Sequence, residues 1–321
     1  MKENKKLKIG AHAILGLVIL GLIVFMVLKL LHWQSRTVSI DTNVEEGSFD
    51  METLDYYIYP TEDQLAARED DGVNDILIIG NCAANSNGDK HSVVNELNKS
   101  LKNAKIYTLI ADRSKITCDN EIELSSSADP YSFYYIAKSL VNDDFKSQYE
   151  TDYSLVFTTD NQKGDYFNTL NSLDMTRIDT ILIFYSLSDY YASSITMLND
   201  DTNVRGYHGS LKSGIKLLQE KYPWASIILA SPYPEYMEGE NGEIMLDSST
   251  DLGFGNGSLY IQNQYAIATE LCISFIDNYY YTINEKNITD YVDSFFLKDK
   301  GVDLVADHIA SFINNKGNGA N

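Results

Sequence analysis

The apolar positions of this chain fall into three patterns. The first is one long run. From Ile9 to Leu28 the chain is apolar apart from Gly10, His12, Gly16 and Gly21. At a helical rise of about 1.5 Å per residue, such a run spans the roughly 30 Å of hydrocarbon in a bilayer. The second pattern is the short unbroken block, rich in β-branched residues, which reads as a strand buried on both faces. Such blocks predict strands at Asp75–Ile79, Lys105–Ile110, Thr180–Tyr185, Ser226–Ala230 and Cys272–Asp277. The third is helical spacing, as in Val93, Val94, Leu97 and Leu101. It predicts helices over His91–Leu101, Tyr131–Val141, Arg205–Tyr222, Ser258–Leu271 and Lys298–Ile313, with a further helical region in 143–178. Pro130 suits the first turn of the second helix, and Pro223 stops the third.

Strands alternating with helices predict a parallel sheet covered on both faces. The expected fold class is α/β, a three-layer sandwich around a five-stranded parallel sheet. The strand order 2-1-3-4-5 is expected by analogy with flavodoxin-like folds. Residues 235–257 and Thr289–Phe296 read as loops. One N-terminal transmembrane helix precedes this domain. The organisation is thus a basic cytoplasmic tail (1–8), a membrane anchor (9–31), an acidic stalk (32–74), the α/β domain (75–313) and a disordered tail (314–321). The Tyr56-Tyr57-Ile58-Tyr59 patch is placed to dock on that domain.

The flanks of the apolar run fix its reading. It is longer than a signal-peptide core, and neither a small-x-small cleavage site nor a lipobox cysteine follows it. Lys2, Lys5, Lys6 and Lys8 precede it and Trp33 follows as an interfacial anchor. The lysines put the N-terminus inside and the domain outside the cell membrane. The whole chain carries a net charge of −21, although its first 36 residues are basic, with Lys2, Lys5, Lys6, Lys8, Lys29 and Arg36 against Glu3 alone. The acidic remainder disfavours nucleic acid and anionic headgroups as partners.

Cys82, Cys118 and Cys272 are the only cysteines. They form no disulfide framework, although a Cys82–Cys118 bridge stays open. No metal-ligand spacing is present, and no metal or cofactor is expected. Asp143-Asp144 and Asp200-Asp201 read as solvated loops. Asn287-Ile288-Thr289 has the form of a glycosylation acceptor. Cys82 follows Gly80 and Asn81 at the carboxyl end of the first strand, where open α/β sheets bind ligands. A free cysteine is more often a small buried hydrophobe, but a thiol at that place is a candidate for chemistry.

Three blocks at strand ends resemble the SGNH/GDSL hydrolase family, over roughly residues 75–313. Gly80-Asn81-Cys82 stands where the family has Gly-Asp-Ser. Ser186-Leu187-Ser188-Asp189 stands where it has Gly-x-Asn-Asp. Asp293-Ser294-Phe295-Phe296 stands where it has Asp-x-x-His. Lys221–Pro232 is similar to the family's fourth strand. Phe184-Tyr185, Asp189-Tyr190 and Asp277-Asn278-Tyr279-Tyr280 resemble a membrane-anchored, clostridial-type branch.

The resemblance implies an extracytoplasmic ester hydrolase or acyltransferase acting on acyl or acetyl esters, with cell-surface polysaccharide as the expected partner. Cys82 would be its nucleophile and Asp293 the residue that orients the base. Asn81, Ser188 and Asp189 would line the oxyanion site and cleft, and the oxyanion glycine would fall near Ala111-Asp112-Arg113. The triad is degenerate, since the histidine position is Phe296, which moves no proton. Activity is therefore expected to be weak or absent. The alternative is a non-catalytic glycan- or acyl-binding protein, or a scaffold for a membrane partner. No other histidine obviously substitutes. His308 lies about 18 Å further along the last helix at 1.5 Å per residue. His208 reads as an exposed loop residue after the third block, and His91 as a solvent-facing residue at a helix start.

Overall fold

The computed structural model describes residues 53–68, 71–84, 91–120, 127–196 and 202–315, all within the unit Met51–Asn321. The predicted membrane anchor, the cytoplasmic tail and most of the stalk lie outside the described residues. Among the described residues no helix is long and apolar enough to cross a membrane.

In chain order the elements are α1 (Glu62–Ala66), β1 (Asn74–Gly80), α2 (Val93–Ser100), β2 (Ala104–Ile110), α3 (Phe133–Asn142), α4 (Lys146–Glu150), α5 (Asp160–Ser172) and β3 (Thr180–Phe184). There follow α6 (Ser188–Tyr191), α7 (Tyr207–Lys221), β4 (Ser226–Ala230), β5 (Tyr236–Glu238), β6 (Ile244–Leu246) and α8 (Gly257–Glu270). The chain closes with β7 (Ser274–Ile276), α9 (Ile288–Tyr291), β8 (Val292–Asp293), β9 (Phe296–Leu297) and α10 (Asp299–Asn315).

Five strands make one parallel sheet in the order β2-β1-β3-β4-β7. Counted within the sheet, this is the expected 2-1-3-4-5. The two-residue period of a strand sorts its side chains to opposite faces. Leu77, Ile79, Ile181, Ile183, Ile227 and Leu229 enter one core, with Phe133 of α3, Leu170 of α5, Leu211 of α7 and Ile261 of α8. Ile76, Ile78, Leu182 and Ile228 enter the other, with Leu97 of α2 and Ile309 of α10. That two-sided burial is why the strands read as unbroken apolar blocks.

The edge strand β7 is covered by the chain that precedes the domain. Tyr56 and Phe275 exchange both backbone hydrogen bonds, at 3.1 and 3.0 Å, and the Ile58 N–H donates to Ser274 Oγ at 3.0 Å. The tyrosine-rich patch thus docks as the sequence suggests, with the Tyr56 ring against Phe275 and Tyr265.

Three readings need correction. The predicted loop 235–257 contains the antiparallel β5–β6 hairpin, turned through Gly242 at φ 79°. Thr289–Phe296 contains most of α9 and the β8–β9 hairpin. Strands of two or three residues are too short to show alternation, so neither hairpin leaves a periodic signal. The fifth sheet strand is also shorter than its apolar block, because Cys272 adopts a left-handed turn at φ 51° before it.

Candidate functional site

The carboxyl ends of β1 and β3 approach so closely that Gly80 is required there. A Cβ at position 80 would stand 2.1 Å from the Phe184 carbonyl oxygen. The chain then turns, and Asn81 is drawn inward to full burial. Its Oδ1 accepts from the N–H groups of Ser186 (2.8 Å) and Ala83 (3.2 Å). Its Nδ2 faces the Ser114 carbonyl (3.0 Å), Ser186 Oγ (3.0 Å) and Ser188 Oγ (3.1 Å). Asn81 therefore ties the β1 turn to the β3 turn and to the segment after β2. An aspartate has no N–H for the Ser114 carbonyl, which gives a physical reason for asparagine at this place.

Cys82 comes next and is partly buried. Its Sγ has Ser186 Oγ as hydrogen-bond partner at 3.8 Å. Burial and then the neighbouring Glu235 carboxyl push the thiol up to about 12. The thiolate is the nucleophilic form, and a reactive cysteine needs a nearby cation, a helix N-terminus or a paired base to stabilise it. Cys82 has a carboxyl neighbour instead. Cys82, Cys118 and Cys272 are all free thiols, so the open Cys82–Cys118 bridge is not made.

The other predicted cleft residues have structural employment. Asp189 is buried and accepts from the N–H groups of Ile116 (2.8 Å) and Thr117 (3.1 Å) and from Thr117 Oγ1 (2.5 Å). It pins the segment after β2 rather than facing Cys82. The Ser188 hydroxyl sits between Asn81 Nδ2 and the Ser114 carbonyl. Oxyanion stabilisation needs N–H groups aimed at an open position. Here the Cys82 N–H points to the Asp112 carbonyl at 3.4 Å, and those of Ala111, Arg113 and Ser114 donate to Gly80, Val156 and Ala111 carbonyls.

Asp293 and Phe296 face each other across the β8–β9 hairpin, turned through Ser294 at φ 55°. Asp293 is exposed, and Phe296 is 48% exposed. Phe295 packs edge-on to Tyr191, with ring centroids 4.7 Å apart. The described histidines are all engaged elsewhere. His208 lies inside α7, not in a loop, is 7% exposed and meets Asn263 Oδ1 at 3.2 Å. His91 bridges Glu96 and Asp303, at 3.0 and 3.1 Å. His308 on α10 contacts Asn278 and Asp55.

The sequence reading missed two buried acids at these strand ends. Ser231-Pro232-Tyr233-Pro234 leads out of β4 and delivers Glu235 beside the Leu187 N–H, which donates to its Oε1 at 3.3 Å. Asp247 follows β6. Both are 1% exposed. Desolvation holds Glu235 well above the ordinary carboxyl range and pushes Asp247 up to about 7. Their stretch is rich in Glu, Gly, Asp and Ser, which made it look solvated.

No family model and no curated protein matches the chain. Solved structures do match. A protein from Lactobacillus plantarum aligns at TM-score 0.51 and 14% identity, over 76% of this chain and 98% of its own. A further crystal structure aligns at TM-score 0.54 and 13% identity, over 76% and 97%. A carbohydrate acetylesterase from Sinorhizobium meliloti aligns at TM-score 0.45 and 10% identity, over 75% and 98%. At such identities the likeness is one of fold. The observed strand order β2-β1-β3-β4-β7 between two helical layers is a three-layer α/β fold, and the likeness to these structures is a likeness in that fold.

Proposed function

We propose that this chain is a membrane-tethered, non-hydrolytic member of the SGNH/GDSL fold, which binds an acyl ester or glycan outside the cell without turning it over. One observation carries the reading. Cys82, which the resemblance puts at the nucleophile position, has Ser186 Oγ as its hydrogen-bond partner and no histidine bonded to it among the described residues, and burial and the Glu235 carboxyl push its thiol up. Acyl transfer by a thiol needs a base to take its proton and free donors for the oxyanion. The engaged N–H groups of Ala111, Arg113 and Ser114 support the same reading. Phe296 stands where the resemblance would put the family's histidine, and with Phe295 it offers an exposed apolar surface in place of proton transfer. Membrane attachment rests on the apolar run from Ile9 to Leu28.

The test is hydrolysis of an activated acetyl ester by the full chain in detergent, against Cys82→Ala. Equal rates for the two support the reading. Turnover that vanishes in Cys82→Ala means a working esterase and overturns it.

A further inference from the structure

His91 stands between two carboxylates that come from different helices. Its Nδ1 lies 3.0 Å from Glu96 Oε1 on α2, and its Nε2 lies 3.1 Å from Asp303 Oδ1 on α10. The Asp299 carbonyl oxygen, in the first turn of α10, faces the same Nε2 at 3.3 Å. One ligating atom from each of His91, Glu96 and Asp303 falls within 4.8 Å of the others. Solvent reaches the cluster, since the His91 and Asp303 side chains are 31% and 58% exposed.

The sequence shows no metal-ligand spacing here because His91 and Asp299 are 208 positions apart. Packing brings them together, for α2 and α10 share one core through Leu97 and Ile309.

The tautomer of the ring decides what the cluster can hold. Lys99 Nζ lies 2.6 Å from Glu96 Oε1 and holds that carboxyl below its ordinary range. A carboxylate beside Nδ1 favours the tautomer with the ring proton on that side. Nε2 then turns its lone pair toward two oxygens, Asp303 Oδ1 and the Asp299 carbonyl. Three electron-rich atoms facing one another repel unless positive charge lies among them. A second ring proton can point at only one of the two oxygens. A metal ion attracts all three atoms.

We propose that His91 Nε2, Asp303 and the Asp299 carbonyl bind a divalent cation of the zinc type, with Glu96 orienting the imidazole from its other nitrogen. An imidazole nitrogen with oxygen donors is a set that zinc accepts. Neighbouring ligands of a tetrahedral zinc, with bonds of about 2.0–2.1 Å, stand about 3.3 Å apart. The separations of 3.1 and 3.3 Å from Nε2 to the two oxygens are of that size. A carboxylate on the far ring nitrogen is the usual outer partner of a zinc-bound histidine, which fixes its tautomer and raises its basicity. Water completes the coordination on the open side of Asp303. The cation pins the start of α2 to α10. The site uses neither Cys82 nor the acids Glu235 and Asp247, so it stands whether or not the chain turns over an ester.

Zinc titration of the full chain in detergent, stripped of metal by a chelator, tests this by calorimetry. His91→Ala should remove the tightest equivalent, and Glu96→Gln should weaken it by about 10–100-fold. Labelling by diethyl pyrocarbonate, read by mass spectrometry, follows the same ring in the wild type and needs no variant. At zinc about tenfold above its Kd, labelling of His91 should slow by about tenfold. The buried His208 and His308 serve as references that zinc leaves unmoved. Absence of zinc binding, an unchanged affinity in His91→Ala, or His91 labelling that ignores zinc overturns the proposal and leaves a protonated imidazole bridging two acids.

Discussion

Asp55 and His308 lie 253 positions apart in the chain, and Asp55 Oδ2 meets His308 Nε2 at 2.7 Å. The other ring nitrogen faces Asn278 Oδ1 at 2.9 Å. Asn278 is held in that orientation because its Nδ2 donates to the Ser231 carbonyl at 2.9 Å. Both nitrogens of His308 thus face acceptors, and Tyr281 stacks on its ring at 3.8 Å. Asp55 also accepts from the Asp277 N–H at 2.6 Å. This contact fastens the chain entering the domain to the last helix.

Breaking a buried pair of this kind leaves one partner uncompensated. Asp55 is partly solvated, so the cost falls below that of a fully buried pair. His308→Ala should destabilise the domain by about 1–3 kcal/mol in urea unfolding. Hydrogen exchange should show residues 53–59 losing protection first. Unfolding at the wild-type midpoint would count against this role for the pair.

Cys82 should react slowly with iodoacetamide at neutral pH, because burial and Glu235 hold its thiol at about 12. The exposed Cys272 serves as the internal reference. Mass spectrometry should find Cys272 modified well before Cys82. The Cys82 rate should keep rising with pH beyond 9, since the thiolate fraction is still far from saturation there. Preferential labelling of Cys82 at neutral pH would reveal an activated thiol.

Asn81→Asp would install the aspartate of the Gly-Asp-Ser block that Gly80-Asn81-Cys82 resembles. It should nonetheless destabilise this chain, by about 1–3 kcal/mol, because the Ser114 carbonyl loses its donor and a carboxylate is buried in its place. A denaturant midpoint shift reads this directly, and an unchanged midpoint would mean that the three serines re-sort their bonds without cost.

Gly80→Ala sets a Cβ against the backbone oxygen of Phe184, where no side chain can yield. A loss of about 3 kcal/mol or more, or failure to fold, is expected. Near-native stability would show that β1 and β3 can separate at their ends.

Asp247 also shapes the stability of the whole domain. Its folded-state pKa is raised from 3.8 to about 7, so folding favours the protonated form. That contribution is present in full below the unfolded value and is lost as pH rises through the folded one. The urea midpoint should fall between pH ~4 and ~7 and then level, and Asp247→Asn should remove most of that slope.

The sheet was legible in the sequence because β1, β3 and β4 are buried on both faces and leave unbroken apolar blocks. Gly80-Asn81-Cys82 was legible as a strand-end turn for the same reason. The partners of Asn81 were not, since Ser114, Ser186 and Ser188 become neighbours only when three strand ends converge. Glu235 and Asp247 were hidden by composition: acids in a Gly- and Ser-rich stretch look solvated until a hairpin too short to leave a period folds them inward. His208 misled for a related reason. Its helix starts at Tyr207, and only the packing against Asn263 of α8 reveals that the first turn is buried.

The docked segment at Tyr56 has a consequence for handling and for fate. β7 is an edge strand, and Tyr56 occupies the backbone N–H and C=O of Phe275 on its open side. A bare edge of this kind recruits strands from other molecules. Proteolytic cutting near Pro60, followed by loss of the docked segment, would leave a domain prone to strand addition and aggregation. The same few residues that join the domain to the chain before it thus also keep neighbouring copies apart.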